Sequence, residues 1–267
     1  GRILVESAML CFICPTASAA GVVTSKLGGS LSDTVSYVVM INISVALVVP
    51  LAIPIVNTAS DVPFMTSFLA ICMKIFPLLV LPLIIAWIVR YTMRRLQRWL
   101  MRYTEWAFYC WGVALCFAIY LATRALVLSG LSVWVVLLIG VISLVCTLAQ
   151  FGVGRAAGRI CASKVNADAL RSGVLSRDSG SEVSLRDSGA VASSRNSGSD
   201  TELSAEVDKI TAGQALGQKN TGFLIWLGYS YLTPVTSVAG GLYSVFQNCI
   251  NSFELYQKEK RVAEKIS

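Results

Sequence analysis

Residues 14–21 read CPTASAAG in the middle of an apolar stretch, where a membrane-spanning helix would be uniform. A second interruption, GQALGQKNTG at residues 213–222, lies in the other half of the chain. Backbone that leaves the helix inside a bilayer is tolerated only where it is buried in protein or lines a watery cavity. A pair of broken segments, one in each half, indicates the binding site of a secondary transporter. The pair predicts an all-α polytopic membrane protein with two broken, crossing helices.

Composition supports this class. The chain is 55% hydrophobic and 14% charged, with a mean hydropathy of +0.67, which excludes an ordinary soluble domain. Its apolar residues form blocks of about 20 residues, the length that crosses about 30 Å of hydrocarbon. The blocks predict seven crossings, at 7–23 (broken), 35–56, 64–89, 106–128, 131–153, 213–232 and 235–253.

Basic residues set the predicted orientation. Five arginines and a single acidic residue, Glu105, lie between the third and fourth crossings; the arginines are Arg90, Arg94, Arg95, Arg98 and Arg102. Short loops rich in Lys and Arg stay cytoplasmic. Counting the crossings from this loop places loop 162–209 and the C-terminus in the cytoplasm. The membrane is expected to be a plasma membrane or a bacterial inner membrane. The net charge of +7 is explained by this orientation and requires no nucleic-acid partner.

Residues 162–209 are rich in serine and carry a nine-residue repeat that begins at Arg177, Arg186 and Arg195. A segment with so few apolar residues predicts a disordered loop. Its role is either a tether tuned by phosphorylation or a tolerated surface insertion.

Lys74 lies inside an apolar stretch and has two interpretations. Either the first ten residues of 64–89 lie along the interface before Pro77 and Pro82, so that the Lys74 side chain reaches water, or Lys74 faces a cavity. The pair Cys11 and Cys14 forms a C-x-x-C, but the chain has no His and no second pair, which favours buried small residues over a redox or metal site.

The second break carries four consecutive polar residues, Gln218, Lys219, Asn220 and Thr221. They lie either at the membrane surface or in a cavity at membrane depth, where an unpaired lysine marks a functional site. The first break offers the Thr16 and Ser18 hydroxyls beside Pro15, which bends the chain. Two half-helix N-termini and one ammonium group in such a cavity favour an anionic substrate.

Four runs of residues together resemble the bile acid:sodium symporter family: Thr16-Ala17-Ser18, the span that ends Pro50-Leu51-Ala52-Ile53-Pro54, Gly217-x-x-Asn220-Thr221-Gly222, and Tyr243-Ser244-Val245-Phe246-Gln247-Asn248. The resemblance implies ten helices in two inverted five-helix repeats, with the fourth and ninth helices broken and crossing. It further implies that three helices precede this chain in the complete fold. The implied units are 1–57 (end of the first repeat), 64–153 (three helices of the second repeat), loop 162–209, and 210–256 (the second broken helix and the last helix).

The resemblance also implies the site residues. The substrate set is Thr16, Ser18, Asn220 and Thr221, with Ser18 matching a sodium-ligand position as well. The ion-coupling set is Lys219, Gln218, Asn42, Gln247 and Asn248.

Three positions depart from the family's sodium-site pattern. Ala19 replaces an Asn, Ala215 replaces an acidic residue, and Lys219 replaces a Gln. Sodium needs several oxygen ligands, so we expect sodium coupling to be weakened or lost. No other metal and no cofactor is predicted. The Lys219 ammonium stands in for the cation, either permanently or by losing its proton during the transport cycle.

The sequence therefore predicts a secondary transporter for a small or amphipathic organic anion, bile-acid-like or a carboxylate. The alternative is a non-transporting membrane receptor or sensor for such an anion that signals through loop 162–209. An intramembrane enzyme is not predicted, because the chain has no His and the spans have no Asp or Glu except Glu6. The oligomeric state is left open.

Overall fold

A computed structural model describes residues 1–56, 63–128, 130–177 and 190–266. Within these ranges the chain is helical and forms no strand, apart from one isolated bridge. The helices are α1 (Arg2–Ile13), α2 (Ala20–Leu27), α3 (Leu31–Val56), α4 (Phe64–Thr92), α5 (Arg94–Leu100), α6 (Thr104–Leu128), α7 (Val133–Arg177), α8 (Ala190–Gly217), α9 (Thr221–Tyr231) and α10 (Ser237–Ile266). Short 3-10 turns, Met101–Tyr103 and Pro234–Thr236, precede α6 and α10.

Both predicted helix breaks are present. The first separates α1 from α2 at Cys14–Ala19, where Cys14 has extended backbone angles (φ −64°, ψ 138°) and Pro15 lacks an amide hydrogen. The second separates α8 from α9 at Gln218–Asn220. Each break interrupts a segment that one helix would otherwise continue: α1 and α2 have 12 and 8 residues, and the 28-residue α8 is followed by the 11-residue α9.

Three helices of the described chain are long and apolar enough to cross a membrane: Leu31–Val56, Phe64–Thr92 and Val133–Lys164. The protein is therefore a helical membrane protein by the length and composition of these segments. The helices α1, α2 and α9 are shorter, and α8 has 28 residues but is not one of the three apolar helices, so the full number of seven crossings stays a prediction.

The apolar core lies where α1, α7, α9 and α10 meet, with α3 and α4 packed beside them. Leu10, Leu224 and Tyr243 are fully buried at its centre. Ser143 on α7 donates a hydrogen bond to the Ala239 carbonyl on α10 at 3.2 Å. Hydrogen bonds of this kind join helices inside a membrane, where apolar contact alone gives little net attraction.

Contacts at each end of the bundle show which ends of the α1–α2, α8–α9 and α10 segments lie together. At one end the Lys258 ammonium donates to the Lys26 carbonyl at 2.7 Å, and the Ser30 amide donates to the Thr211 hydroxyl at 2.8 Å. At the other end the buried Glu6 carboxylate accepts from the Thr233 amide at 3.1 Å. Lys26 and Lys258 thus lie at the same end, as the predicted topology requires. Which end faces the cytoplasm stays a prediction.

The α7–α8 pair packs backbone against backbone. A Cβ added at Gly154 would lie 2.9 Å from the Gly213 Cα, and one added at Gly158 would lie 2.8 Å from the Lys209 Cα. Small residues allow two membrane helices to approach this closely.

The serine-rich segment differs in part from the sequence prediction. Residues 162–177 continue α7 and residues 190–209 belong to α8, whereas the sequence predicts disorder throughout 162–209. Adding a residue to an existing helix costs far less free energy than nucleating a new helix. The paired helices α7 and α8 therefore extend beyond the apolar core. Residues 178–189 lie outside the described residues.

Lys74 lies in the middle of a continuous helix. The separate interfacial segment considered for the start of 64–89 is not present, because α4 runs unbroken through Pro77 and Pro82. A proline removes one helical hydrogen bond but does not end a membrane helix whose neighbouring bonds persist. The Lys74 side chain is exposed, and its ammonium lies 5.7 Å from the centre of the Tyr231 ring.

The close α7–α8 contact predicts the effect of one added methyl group. Gly154→Ala places a Cβ against the backbone of α8, and overpacking of this kind costs about 1–3 kcal/mol. We expect a lower temperature of half-unfolding for purified Gly154→Ala in detergent. Gly152→Ala is the matched control, because a Cβ at Gly152 meets nothing within 4 Å. Equal thermal stability of the two variants would contradict the packing.

Candidate functional site

The two helix breaks cross each other and form the candidate site. Thr16 and Lys219 form an isolated antiparallel bridge. The Asn220 amide donates to the Pro15 carbonyl at 2.8 Å, and the Ala17 amide donates to the Gln218 carbonyl at 3.0 Å. Each break thus satisfies backbone groups that the other exposes. We call residues 14–19 and 218–220 the crossing.

The C-terminal end of α8 is completed by side chains from other helices. The last carbonyls of a helix have no partner within it. The Ala215 carbonyl accepts from the buried Thr16 hydroxyl at 2.7 Å, and the Gly217 carbonyl accepts from the Tyr243 hydroxyl at 2.8 Å. At Gly217 a Cβ would meet the Phe151 ring, so a glycine is required for this contact.

The start of α9 is capped locally. The Asn220 side-chain oxygen accepts from the Phe223 amide at 3.1 Å, which is the usual role of asparagine at a helix N-cap. The Gln247 side chain on α10 binds the backbone of Lys219, the residue before Asn220. Its oxygen accepts from the Lys219 amide at 3.0 Å, and its nitrogen donates to the Lys219 carbonyl at 3.4 Å.

The end of α1 is held in the same way. The Gln150 side-chain nitrogen on α7 donates to the Cys11 carbonyl at 3.0 Å. The Cys14 thiol donates to the Asn220 carbonyl, with 3.0 Å between sulfur and oxygen. Cys11 and Cys14 are buried and form no disulfide. The C-x-x-C pair therefore packs at the crossing.

The crossing buries polar side chains inside a largely apolar body. Thr16 is 1% exposed, Gln218 and Lys219 are each 3% exposed, and Thr221 is 4% exposed. Lys219 is thus buried inside the protein, and its depth in the membrane stays a prediction. Among the side chains that the structure describes, no carboxylate forms an ion pair with the Lys219 ammonium.

Three buried polar atoms near the breaks have no hydrogen-bond partner among the described residues: the Gln218 side-chain nitrogen and the side-chain oxygens of Gln150 and Gln214. A buried polar group without a partner costs about 1–3 kcal/mol. Such groups in the middle of a membrane protein are therefore available to a polar ligand.

The electrostatics of the crossing follow from the four helix ends. The N-termini of α2 and α9 begin directly after the two breaks, and each carries partial positive charge. Lys219 adds a full positive charge next to the α9 N-terminus. The C-termini of α1 and α8 end at the same place and carry partial negative charge, so the Lys219 ammonium is the one full charge of residues 14–19 and 218–220.

The structure brings together Thr16, Gln218, Lys219, Asn220, Thr221 and Gln247 of the predicted site residues. The side chains of the three others form no hydrogen bond to another part of the crossing among the described residues, although Ser18 itself belongs to the first break. Ser18 is exposed in the turn before α2, and Asn248 is partly exposed on α10. Asn42 is buried, but its side chain donates to the Val38 carbonyl of its own helix at 2.7 Å.

Sequence reasoning missed the residues that support the crossing from other helices. Tyr243 binds the Gly217 carbonyl and Gln150 binds the Cys11 carbonyl, at the helix ends beside the crossing, and neither residue is in the predicted site set. A glutamine inside the apolar span 131–153 is a usable signal, since such a residue must find a partner. The Tyr243 interaction has no comparable signal, because a tyrosine in a membrane helix is not unusual.

A second polar cluster lies one turn before the second break. Arg155 on α7 forms an ion pair with Glu254 on α10, and the Gln214 side chain donates to the same carboxylate at 2.8 Å. The Arg155 guanidinium also lies 5.7 Å from the centre of the Phe151 ring. This cluster ties α7, α8 and α10 together at the basic end of the bundle.

Comparison of the chain with protein-family models, with curated proteins and with solved structures gave no match.

The Tyr243 hydrogen bond predicts a measurable loss of stability. Tyr243→Phe leaves the Gly217 carbonyl without its partner inside the protein, which costs about 1–3 kcal/mol. We expect a lower unfolding temperature in detergent for this variant. Tyr256→Phe is the control, because Tyr256 lies on the same helix and is 64% exposed. A Tyr243→Phe protein as stable as the control would show that the hydroxyl does not hold the end of α8.

Proposed function

We propose that this protein is a secondary transporter for a small or amphipathic organic anion, bile-acid-like or a carboxylate. The observation that carries the proposal is the crossing of two broken helices, joined by the bridge between Thr16 and Lys219. Irregular backbone at membrane depth is a feature of transporter binding sites, where freed backbone groups and helix ends contact the substrate. A protein with only a structural role in the membrane has no need of such a site.

We further propose that the chain shares the bile acid:sodium symporter fold, with inverted repeats and three additional helices before α1. The order of helices from α4 to α10 supports this, because α4, α6, α7, the broken pair α8–α9 and α10 form five helical segments with the break in the fourth. The earlier break in α1 and α2 is then its counterpart in the first repeat. In this arrangement the serine-rich segment predicted at 162–209 and the C-terminus face the cytoplasm, and the membrane is a plasma or bacterial inner membrane.

The anionic substrate follows from charge. The N-termini of α2 and α9 and the ammonium of Lys219 lie at the crossing, and no described carboxylate pairs with Lys219. An unpaired buried ammonium is costly, and a bound anion would offset that cost. Asn220 and Thr221 lie at the start of α9, where the anion would be held.

The same residues do not fit a sodium ion. Sodium requires a shell of oxygen ligands, but Ala19 and Ala215 have no side-chain oxygen. The Ala215 carbonyl already accepts from Thr16, and the Gln247 oxygen already accepts from the Lys219 amide. A buried ammonium would repel the ion. Transport is therefore sodium-independent, with Lys219 in the place of the cation.

The proposal is tested by uptake into proteoliposomes. We expect the purified protein to move labelled taurocholate across the membrane, with no acceleration by an inward sodium gradient. Strong acceleration by sodium alone would contradict the role given to Lys219. Binding of taurocholate without uptake would favour the alternative, a membrane sensor that signals through the serine-rich segment. Absence of both binding and uptake, repeated with a short carboxylate, would reject an organic-anion site.

The contribution of Lys219 is tested separately. Lys219→Gln removes the charge but keeps a polar side chain, and a hydrogen bond to a charged group is worth about 1.5–3 kcal/mol. We expect the Kd for the anion to rise roughly tenfold or more. Lys74→Gln is the matched control, since Lys74 is an exposed lysine within another apolar helix. Equal effects of the two substitutions would place the anion away from the crossing.

A further inference from the structure

A second candidate site is an open groove along the surface of α4. The groove encloses about 750 Å³, within the range of about 300–1,000 Å³ that is usual for small-molecule sites. Its α4 wall contains Pro77, Leu81, Ile85 and Val89, and α5 closes it with Leu100. Pro77 and Pro82 both remove amide hydrogens on this stretch, and prolines are common causes of bends in a helix.

The length of the groove matches one leaflet of a bilayer. From Pro77 to Val89 a helix rises about 18 Å at about 1.5 Å per residue. Half of a hydrocarbon layer of about 30 Å is about 15 Å. The groove therefore extends from near the middle of the membrane to its surface, which is the path of a single acyl chain.

The polar end of the groove is basic. Arg90 and Gln97 line it there. The sequence continues with four more arginines before Glu105. No described carboxylate pairs with Arg90, and its guanidinium lies 5.8 Å from the centre of the Tyr91 ring. Clusters of four to eight basic residues directly beside a membrane helix bind anionic lipid headgroups.

We propose that this groove binds an anionic phospholipid, with one acyl chain along α4 and its phosphate at Arg90. The apolar wall suits the chain, and the arginines suit the headgroup. The residues that line the groove are exposed, apart from the partly exposed Val89 and Gln97, and belong to α4, α5 and the turn after α5; none belongs to the crossing. The lipid site is therefore separate from the anion site proposed above, and it does not depend on transport.

Native mass spectrometry with two lipids of matched acyl chains tests the proposal. The purified protein is mixed with equal amounts of phosphatidylglycerol and phosphatidylcholine, and retained lipid is counted. We expect phosphatidylglycerol to be retained about fivefold or more over phosphatidylcholine. Arg90→Gln should reduce that preference about fivefold, the effect of one basic residue near a membrane surface. Ala86→Leu fills the groove and should lower the retention of both lipids.

Two control variants match these changes. Arg124→Gln removes an exposed arginine from α6, and Ala70→Leu enlarges an exposed alanine of α4; neither residue lines the groove. Both should retain lipid as the unchanged protein does. Equal retention of the two lipids by the unchanged protein would overturn the proposal. The proposal would also be overturned if Arg90→Gln and Ala86→Leu retained lipid as their controls do. Loss of bound phosphatidylglycerol on addition of taurocholate would instead assign the groove to the soluble anion, which also contradicts a lipid site.

Discussion

The structure depends on one constraint: backbone groups freed by a helix break inside a membrane must find partners within the protein. Unsatisfied groups cost several kcal/mol each in hydrocarbon. Here each break is the main partner of the other, through the amides of Ala17 and Asn220 and the carbonyls of Pro15 and Gln218. Neither break is stable without the other, so the two halves of the chain are held together at this point.

Side chains from α7 and α10 complete what the two breaks leave open. Gln150, Tyr243 and Gln247 each bind the backbone of a broken segment, and each is buried. The result is a rigid scaffold around a small set of polar groups. In a preorganised arrangement of this kind, the helix ends and Lys219 can bind a ligand without the loss of conformational entropy that ordering them on binding would cost. The physical basis of the proposed anion site is thus the same set of contacts that stabilises the fold.

The basic end of the bundle combines two kinds of positive charge. Arg155 is paired with Glu254 and contributes to packing among α7, α8 and α10. Arg90 is not paired with a described carboxylate and borders an apolar groove that opens toward lipid. Both types contribute to the net charge of +7. The distribution of basic residues in the sequence therefore predicts the orientation of a membrane protein. The partner of each basic residue is known only from the side chains that surround it in the structure.

The sequence by itself determined the helical membrane class, since long uncharged apolar blocks have no other stable form in a bilayer. It also located both breaks, because small and polar residues beside Pro15, and the polar run from Gln218 to Asn220, interrupt apolar stretches. Only the tertiary structure decided that Thr16 meets Lys219 and that Tyr243 and Gln150 complete the helix ends. It likewise left Ser18 exposed within the first break, turned the Asn42 side chain to the Val38 carbonyl of its own helix, and continued α7 and α8 into the serine-rich segment. Local composition shows where a helix must stop, but the partners of its freed backbone come from distant parts of the chain, and only packing brings them within reach.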